Sequence, residues 1–332
     1  MLPTLFLFFF SAIAIYLACE FFVNGIEWCG RHLKLGATAV GTVLAAFGTA
    51  LPESAVTLTA VAFGSTPELR EIGVGAAMGG PLVLATLAYA IVGLALWRNR
   101  IRLQRNDHLV VVDHRRLSQD QLAFLAIFAF KVALGLVAFA IKPWLGVLFL
   151  AAYAAYVWRE IRTADTAPEE EALEALKFRP HNATLGWAAF QALAALTVIA
   201  IASHTFVGQL EAIGGALGLS PHLVALLLSP VATELPEIMN ALIWVRQGKE
   251  RLALANISGA MMIQATIPSA LGIFFTPWRF DGPLLAAGLI TALAIILLWN
   301  LFRRGLVDGR ALVPVALLYG AFAAYLTIAI RL

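Results

Sequence analysis

Charge is scarce in this chain. Of its 332 residues only 13% are Asp, Glu, Lys or Arg, about half the share a soluble domain carries. Apolar residues make up 61%, so the chain would have too little polar surface to cover itself in water. Cysteine is nearly absent. Cys19 and Cys29 are too few for a disulfide framework and read as small buried apolar residues. There is no His-Glu-x-x-His, no Gly-x-Ser-x-Gly and no aspartate-rich cluster, so the motifs of an intramembrane hydrolase are missing and no enzyme is expected. The arginines lie in loops between apolar runs, which gives nucleic acid nothing to bind. The start, "MLPTLFLFFFSAIAIYLA", lacks a basic leading region and reads as a full span rather than a cleaved signal.

What is there is a series of long apolar runs, many reaching the roughly 20 residues that cross a bilayer. Charged breaks divide them into ten spans at about 2–24, 34–63, 72–97, 120–140, 143–161, 184–206, 220–245, 251–275, 282–302 and 311–330. Eighteen of the 23 Lys and Arg then fall in loops on one side and four on the other, with Lys131 inside span four. The basic side faces the cytoplasm by the positive-inside rule, so both termini are expected outside an integral, plasma-membrane protein. The longest polar loops are 98–119 and 162–182. In the second, Pro168 followed by acidic residues has the form of a helix first turn. The composition does not specify an oligomeric state.

One motif occurs twice. Thr49-Ala50-Leu51-Pro52-Glu53 lies in span two, with "VGAAMGG" (74–80) opening span three. Thr233-Glu234-Leu235-Pro236-Glu237 lies in span seven, with "LANISGA" (254–260) opening span eight. Five spans per half would turn the second copy upside down, the inverted-repeat layout of secondary transporters. The expected domains are a first repeat at 1–162, a cytoplasmic linker at 163–182 and a second repeat at 183–332. Each proline removes a backbone donor and is expected to break or kink its helix. Carbonyls freed at that depth persist only where they line a cavity or bind something. A carboxylate at mid-membrane is a functional residue by default. Glu53, Glu237, the Thr49 and Thr233 hydroxyls and the freed carbonyls form an oxygen set suited to a hard cation, Ca²⁺ above all. Two glutamates facing one another repel unless a cation or a proton lies between them. Asn256 and Gln264, two turns apart on one face, are expected to point toward Glu237.

The paired segments resemble the two α-repeats of the calcium/cation antiporter superfamily, the sodium/calcium exchangers, whose repeats read Gly-Thr-Ser-Leu-Pro-Glu followed by Gly-Asn-x-x-Gly-Ser-Asn. The resemblance covers residues 40–87 and 223–273. It implies an all-α membrane protein of ten helices in two inverted five-helix repeats. It further implies that Glu53 and Glu237 bind calcium, that Thr49 and Thr233 are ligands, and that Asn256 is the asparagine of the second stretch. The chain departs from the pattern at several places. The serine before Leu-Pro-Glu is Ala50 in one copy and Glu234 in the other. Gly-Ser-Asn becomes Gly79-Gly80-Pro81 and Gly259-Ala260-Met261, and the further ligand positions are Leu84 and Gln264.

The expected function is exchange of Ca²⁺ or a related divalent cation for Na⁺ by alternating access. The metal-site residues are Glu53, Glu237, Thr49, Thr233, Glu234, Asn256 and Gln264. A proton-coupled exchanger of the same fold is the alternative, with Glu53, Glu234 and Glu237 trading H⁺ for the metal. A channel or a non-transporting membrane protein is a remote one. No cofactor is expected, because the ions are substrates; the partners are the lipid bilayer and inorganic cations. Lys131 needs either a glutamate partner or a transport role, Glu20 is either a pore residue or a snorkelled one, and His204 and His222 read as interfacial.

Overall fold

The computed structural model describes residues 2–63, 67–99, 113–162, 173–181, 183–218, 224–305 and 307–329. The side chains of 51–53, 55, 56, 59, 67–69, 72, 211, 224 and 225 lie outside the description. Among the described residues there is no β-strand. The main helices are α1 (Leu2–His32), α2 (Ala46–Phe63), α3 (Pro67–Val83), α4 (Tyr89–Asn99), α5 (His114–Leu136), α6 (Gly146–Arg162) and α7 (Leu185–Ala216). The series continues with α8 (Ser229–Thr233), α9 (Leu235–Gln247), α10 (Glu250–Phe275), α11 (Gly282–Phe302) and α12 (Ala316–Ala329). Seven helical stretches among the described residues are long and apolar enough to cross a membrane, or eight if the bent pair α8–α9 counts as one span. Of the ten expected spans, two fall outside that number. Span 34–63 is helical over 37–63, and span 143–161 is the 17-residue α6.

Several boundaries differ from the sequence reading, for physical reasons. Helix α1 runs on to His32 rather than ending near 24, because Asn24 and Glu27 are not helix ends but buried residues with partners. The Glu27 carboxylate accepts from Lys249 Nζ at 2.6 Å and from Trp244 Nε1 at 2.7 Å. The expected short helix after Pro168 falls partly on 163–172, outside the described residues. Its remainder, 173–181, is non-helical and lies across α1 and α7. Asn24 Nδ2 donates to the carbonyls of Glu174 and Ala175, the Phe178 amide donates to Gln191 Oε1 at 2.8 Å, and Leu176 is wholly buried. This segment closes a long α1–α7 seam in which Gly25 meets Ala188 and Ala192, and the Phe8 and Phe206 rings stack at 4.6 Å.

Helix α10 is the most enclosed element, with 83% of its spanning window buried. It crosses the start of span two where Gly41 faces Ala255 and Gly259 faces Thr42; a Cβ added at Gly259 would meet the Thr42 carbonyl at 2.3 Å. Small residues are what allow membrane helices to approach so closely. Three π-helical turns interrupt the α-helices, at Val40–Ala45, Leu84–Ala88 and Val224–Leu228. The first and third stand just before the two Leu-Pro-Glu motifs. The first lies against α10, while Leu226 of the third lies against Gly75 of α3.

On one flank a largely buried polar cluster joins four helical segments. Glu160 of α6 accepts from Arg116 (2.6 Å) and Arg159 (2.9 Å), and also from the Thr42 hydroxyl (3.2 Å). Asp120 accepts from Arg159 and from Ser258 of α10 at 3.2 Å. Glu160, Asp120 and Arg116 are buried and Arg159 is partly exposed, so the two carboxylates are balanced by one enclosed and one rim guanidinium.

Candidate cation site

The second Leu-Pro-Glu segment breaks its span. Helix α8 ends at Thr233, Glu234 leaves helical geometry at φ −84°, ψ 3°, and α9 starts at Leu235, bent by 46°. Pro230 and Pro236 flank this point, and together they withdraw two backbone donors within seven residues. The first copy behaves differently. Helix α2 is continuous from Ala46 through Pro52 to Phe63, so of the break or kink expected at Pro52 the break is absent. The position matching Pro230 is Ala46, and a single proline leaves the rest of the ladder in place.

The bend carries two carboxylates, Glu234 and Glu237, both 0% exposed. Glu237 lies in the first turn of α9, where the positive end of the helix dipole favours a negative side chain. Asn256 of α10 donates to the Glu237 backbone carbonyl at 3.0 Å, and Cys19 of α1 lies 3.8 Å from the Pro236 carbonyl. One turn-pair further along α10, Gln264 Nε2 donates to Glu234 Oε1 at 3.0 Å. Thus the face of α10 expected to point toward Glu237 does grip the bend, with Asn256 on the main chain and Gln264 on the neighbouring glutamate. The two threonines are turned onto their own helices: Thr49 donates to Ala45 O (3.1 Å) and Thr233 to Pro230 O (3.2 Å). Thr49 is buried and Thr233 half-buried. The side chain of Glu53 lies outside the described residues.

Gly80 explains how Glu234 fits. A Cβ at this position would lie 2.6 Å from Glu234 Oε1 and 3.1 Å from Gln264, and one at Gly79 would lie 2.5 Å from Pro230. The glutamate occupies room that only a glycine leaves.

Other residues singled out by sequence find plainer places. Lys131 meets a carbonyl, Ala77 O at 2.9 Å, and the Phe128 ring rather than a glutamate. Glu20 pairs with Lys177 of the linker at 3.4 Å and is about a third exposed. His204 is exposed, and His222 lies outside the described residues. Sequence reasoning passed over Asn240, one turn beyond Glu237. It is 0% exposed, and among the described residues neither amide atom meets a hydrogen-bond partner. Ser54 and Thr57, just after Glu53, also hold buried hydroxyls that meet no partner among the described residues. Buried polar atoms of this kind call for an ion or water. The available signal was a polar residue at helical spacing after each glutamate. Among the described residues no three His, Cys, Asp or Glu side chains form a cluster. The donors at the bend are mixed oxygens, which suit a hard cation rather than a soft metal.

A bundle that is all-helical among the described residues, with buried glutamates at a bent span, has the build of a membrane transporter. The model of the sodium/calcium exchanger protein family matches residues 3–162 and 187–331, and the chain belongs to that family. It is similar to the uncharacterized membrane protein MJ0091 of Methanocaldococcus jannaschii, 23% identical over 87% of this chain and 88% of that protein. It is also similar to the inner membrane protein YrbG of Escherichia coli, 25% identical over 73% of this chain and 70% of that protein. Among solved structures, the sodium-calcium exchanger NCX_Mj soaked with 10 mM Na⁺ and zero Ca²⁺ superposes with a TM-score of 0.75. The match covers 97% of this chain and 98% of that one at 20% identity. The same exchanger soaked with 2.5 mM Na⁺ and 0.1 mM Ca²⁺ gives 0.76 over 98% and 99% at 19% identity. The chain is an integral membrane protein with the NCX_Mj-like fold, and family and fold together support a cation antiporter.

Proposed function

We propose that this protein exchanges Ca²⁺, or a related divalent cation, for Na⁺ across the plasma membrane by alternating access. The site is assigned to Glu53, Glu237, Thr49, Thr233, Glu234, Asn256 and Gln264. The observation that carries this reading is the pair of wholly buried glutamates at the bend of span seven, in a chain of the exchanger family. A divalent ion brings the charge that such carboxylates need in a dry interior, and two monovalent ions bring the same charge in exchange. The two π-turns preceding the Leu-Pro-Glu motifs, each set against a helix of the other half, support two inverted five-helix repeats and ten spans in all. The repeats are 1–162 and 183–332, joined by a cytoplasmic linker, with both termini outside.

A second reading has a specific observation behind it. The Glu234 carboxylate, held by Gln264 and seated over Gly80, stands where the exchanger motif has small hydroxyls. A carboxylate can carry a proton where a serine can only coordinate an ion. On this reading the counter-ion is H⁺, and Glu234 is its carrier. One experiment separates the two. Purified protein in sealed vesicles is given ⁴⁵Ca²⁺ with an outward gradient of Na⁺ alone or of H⁺ alone. Uptake driven by Na⁺ and indifferent to pH supports the first reading, and uptake driven by pH alone supports the second. Uptake with neither gradient, accompanied by current, would assign a channel.

A further inference from the structure

Lys131 is a charged residue that the sequence places inside a span and that the proposed transport cycle does not use. It lies on α5, is 0% exposed, and its ammonium donates to the main-chain carbonyl of Ala77 at 2.9 Å while sitting 4.7 Å from the Phe128 ring centroid. Its own carbonyl is held by the Trp278 indole at 3.1 Å. In a helix the carbonyl of Ala77 would receive the amide of the residue four positions on. That residue is Pro81, inside α3, which has no amide hydrogen to give. Lys131 therefore supplies a donor to a carbonyl from which proline has removed one.

The turn between Ala77 and Pro81 is also the turn on which the bend of span seven rests. Gly79 meets Pro230, and Gly80 meets the Glu234 carboxylate and the Gln264 amide at distances that leave no room for a Cβ. The Glu234 carboxylate and the Gln264 amide thus pack directly against this turn. We propose that Lys131 is a positioning residue for the cation site: it replaces the backbone donor that Pro81 lacks and so fixes the turn against which Glu234 and Gln264 are set. The ammonium touches neither glutamate; it acts through the main chain of α3. This assignment rests on the proposed cation site, and its test is built to fail separately from it.

The test is a double-mutant cycle between Lys131→Met and Pro81→Ala. Methionine removes the ammonium and keeps a long unbranched side chain, while alanine restores an amide hydrogen to position 81. Half-saturation for ⁴⁵Ca²⁺ uptake is measured in vesicles. Ca²⁺-induced thermal stabilisation of the purified protein is measured in detergent. Lys131→Met with Pro81 in place should weaken apparent Ca²⁺ affinity roughly tenfold, the scale of one lost buried hydrogen bond. The same change made on top of Pro81→Ala should have no effect, and Lys131→Arg should retain most of the wild-type affinity. An equal loss with and without Pro81→Ala, or no loss with Pro81 present, overturns the assignment. If Pro81→Ala by itself stops transport, the cycle is read from the melting temperatures without Ca²⁺. Coupling of the two positions there supports the backbone-donor role and its absence overturns it. If the wild-type protein neither transports nor binds Ca²⁺, the cation-site reading fails, while the coupling in the melts still reports on Lys131 and Pro81.

Discussion

Glu237 sits at the first turn of α9 with its carboxylate wholly enclosed. Replacing it by Gln keeps shape and removes the charge, so ⁴⁵Ca²⁺ uptake in vesicles should fall to the level of empty vesicles. Glu53→Gln should do the same. A variant of either that retains wild-type uptake contradicts the assigned site. Glu234 tests the counter-ion. Gly80→Ser alone introduces a Cβ 2.6 Å from the Glu234 carboxylate, so it should displace that group and depress transport. Gly80→Ser combined with Glu234→Ser removes the clash and supplies two hydroxyls. If Glu234 carries a proton, the double variant should lose pH-driven uptake and still bind Ca²⁺. If Na⁺ is the native counter-ion, the double variant should keep Na⁺-driven uptake, still indifferent to pH.

At the scale of elements, the crossing of α10 over the start of span two depends on absent side chains. A Cβ at Gly259 would meet Thr42 backbone atoms at 2.3, 2.6 and 2.8 Å, none of which can rotate away. Gly259→Ala should therefore destabilise the protein by about 1–3 kcal/mol through overpacking, read as a lower melting temperature in detergent. Gly186→Ala, on α7 with nothing within 4 Å, is the matched control and should leave the melt unchanged or slightly raised. The linker segment 173–181 gives a second test. Gln191 donates to Phe21 O and Asn24 Oδ1 and accepts the Phe178 amide. Gln191→Leu leaves those buried groups without it. Limited proteolysis should then cut near 173–181 several times faster, at unchanged cleavage elsewhere.

For the whole molecule, the imbalance of basic residues predicts a fixed orientation. In a background lacking Cys19 and Cys29, single cysteines in loops 98–119 and 162–182 should resist an impermeant thiol reagent in intact cells. They should react after the membrane is opened. Reaction of a cysteine at position 106 from outside reverses the proposed topology. The ion pair of Glu27 with Lys249 belongs to the same frame. It joins α1 to the segment between α9 and α10, on the side where the linker docks.

Membrane residence and the repeated motif were legible in the residues, because long apolar runs and a doubled Thr-x-Leu-Pro-Glu need no folding to be seen. So was the attachment of Asn256 and Gln264 to the bend, since helical spacing alone puts them on one face of α10. The sequence also marked where proline would act, but not with what result. The same Leu-Pro-Glu lies within a continuous α2 and breaks α8 from α9, because only the second copy has Pro230 as well as Pro236. Helix ends read from charge failed at Asn24 and Glu27, whose partners lie about 150 and 220 residues away in the chain and are brought close only by packing. The partner of Lys131 was equally hidden. A carbonyl orphaned by proline leaves no mark in a search for opposite charges, and only the tertiary structure sets α5 beside that turn of α3. Position 80 follows the same rule. Its glycine looks like a lost ligand in the sequence, whereas packing shows it to be the space that the Glu234 carboxylate fills.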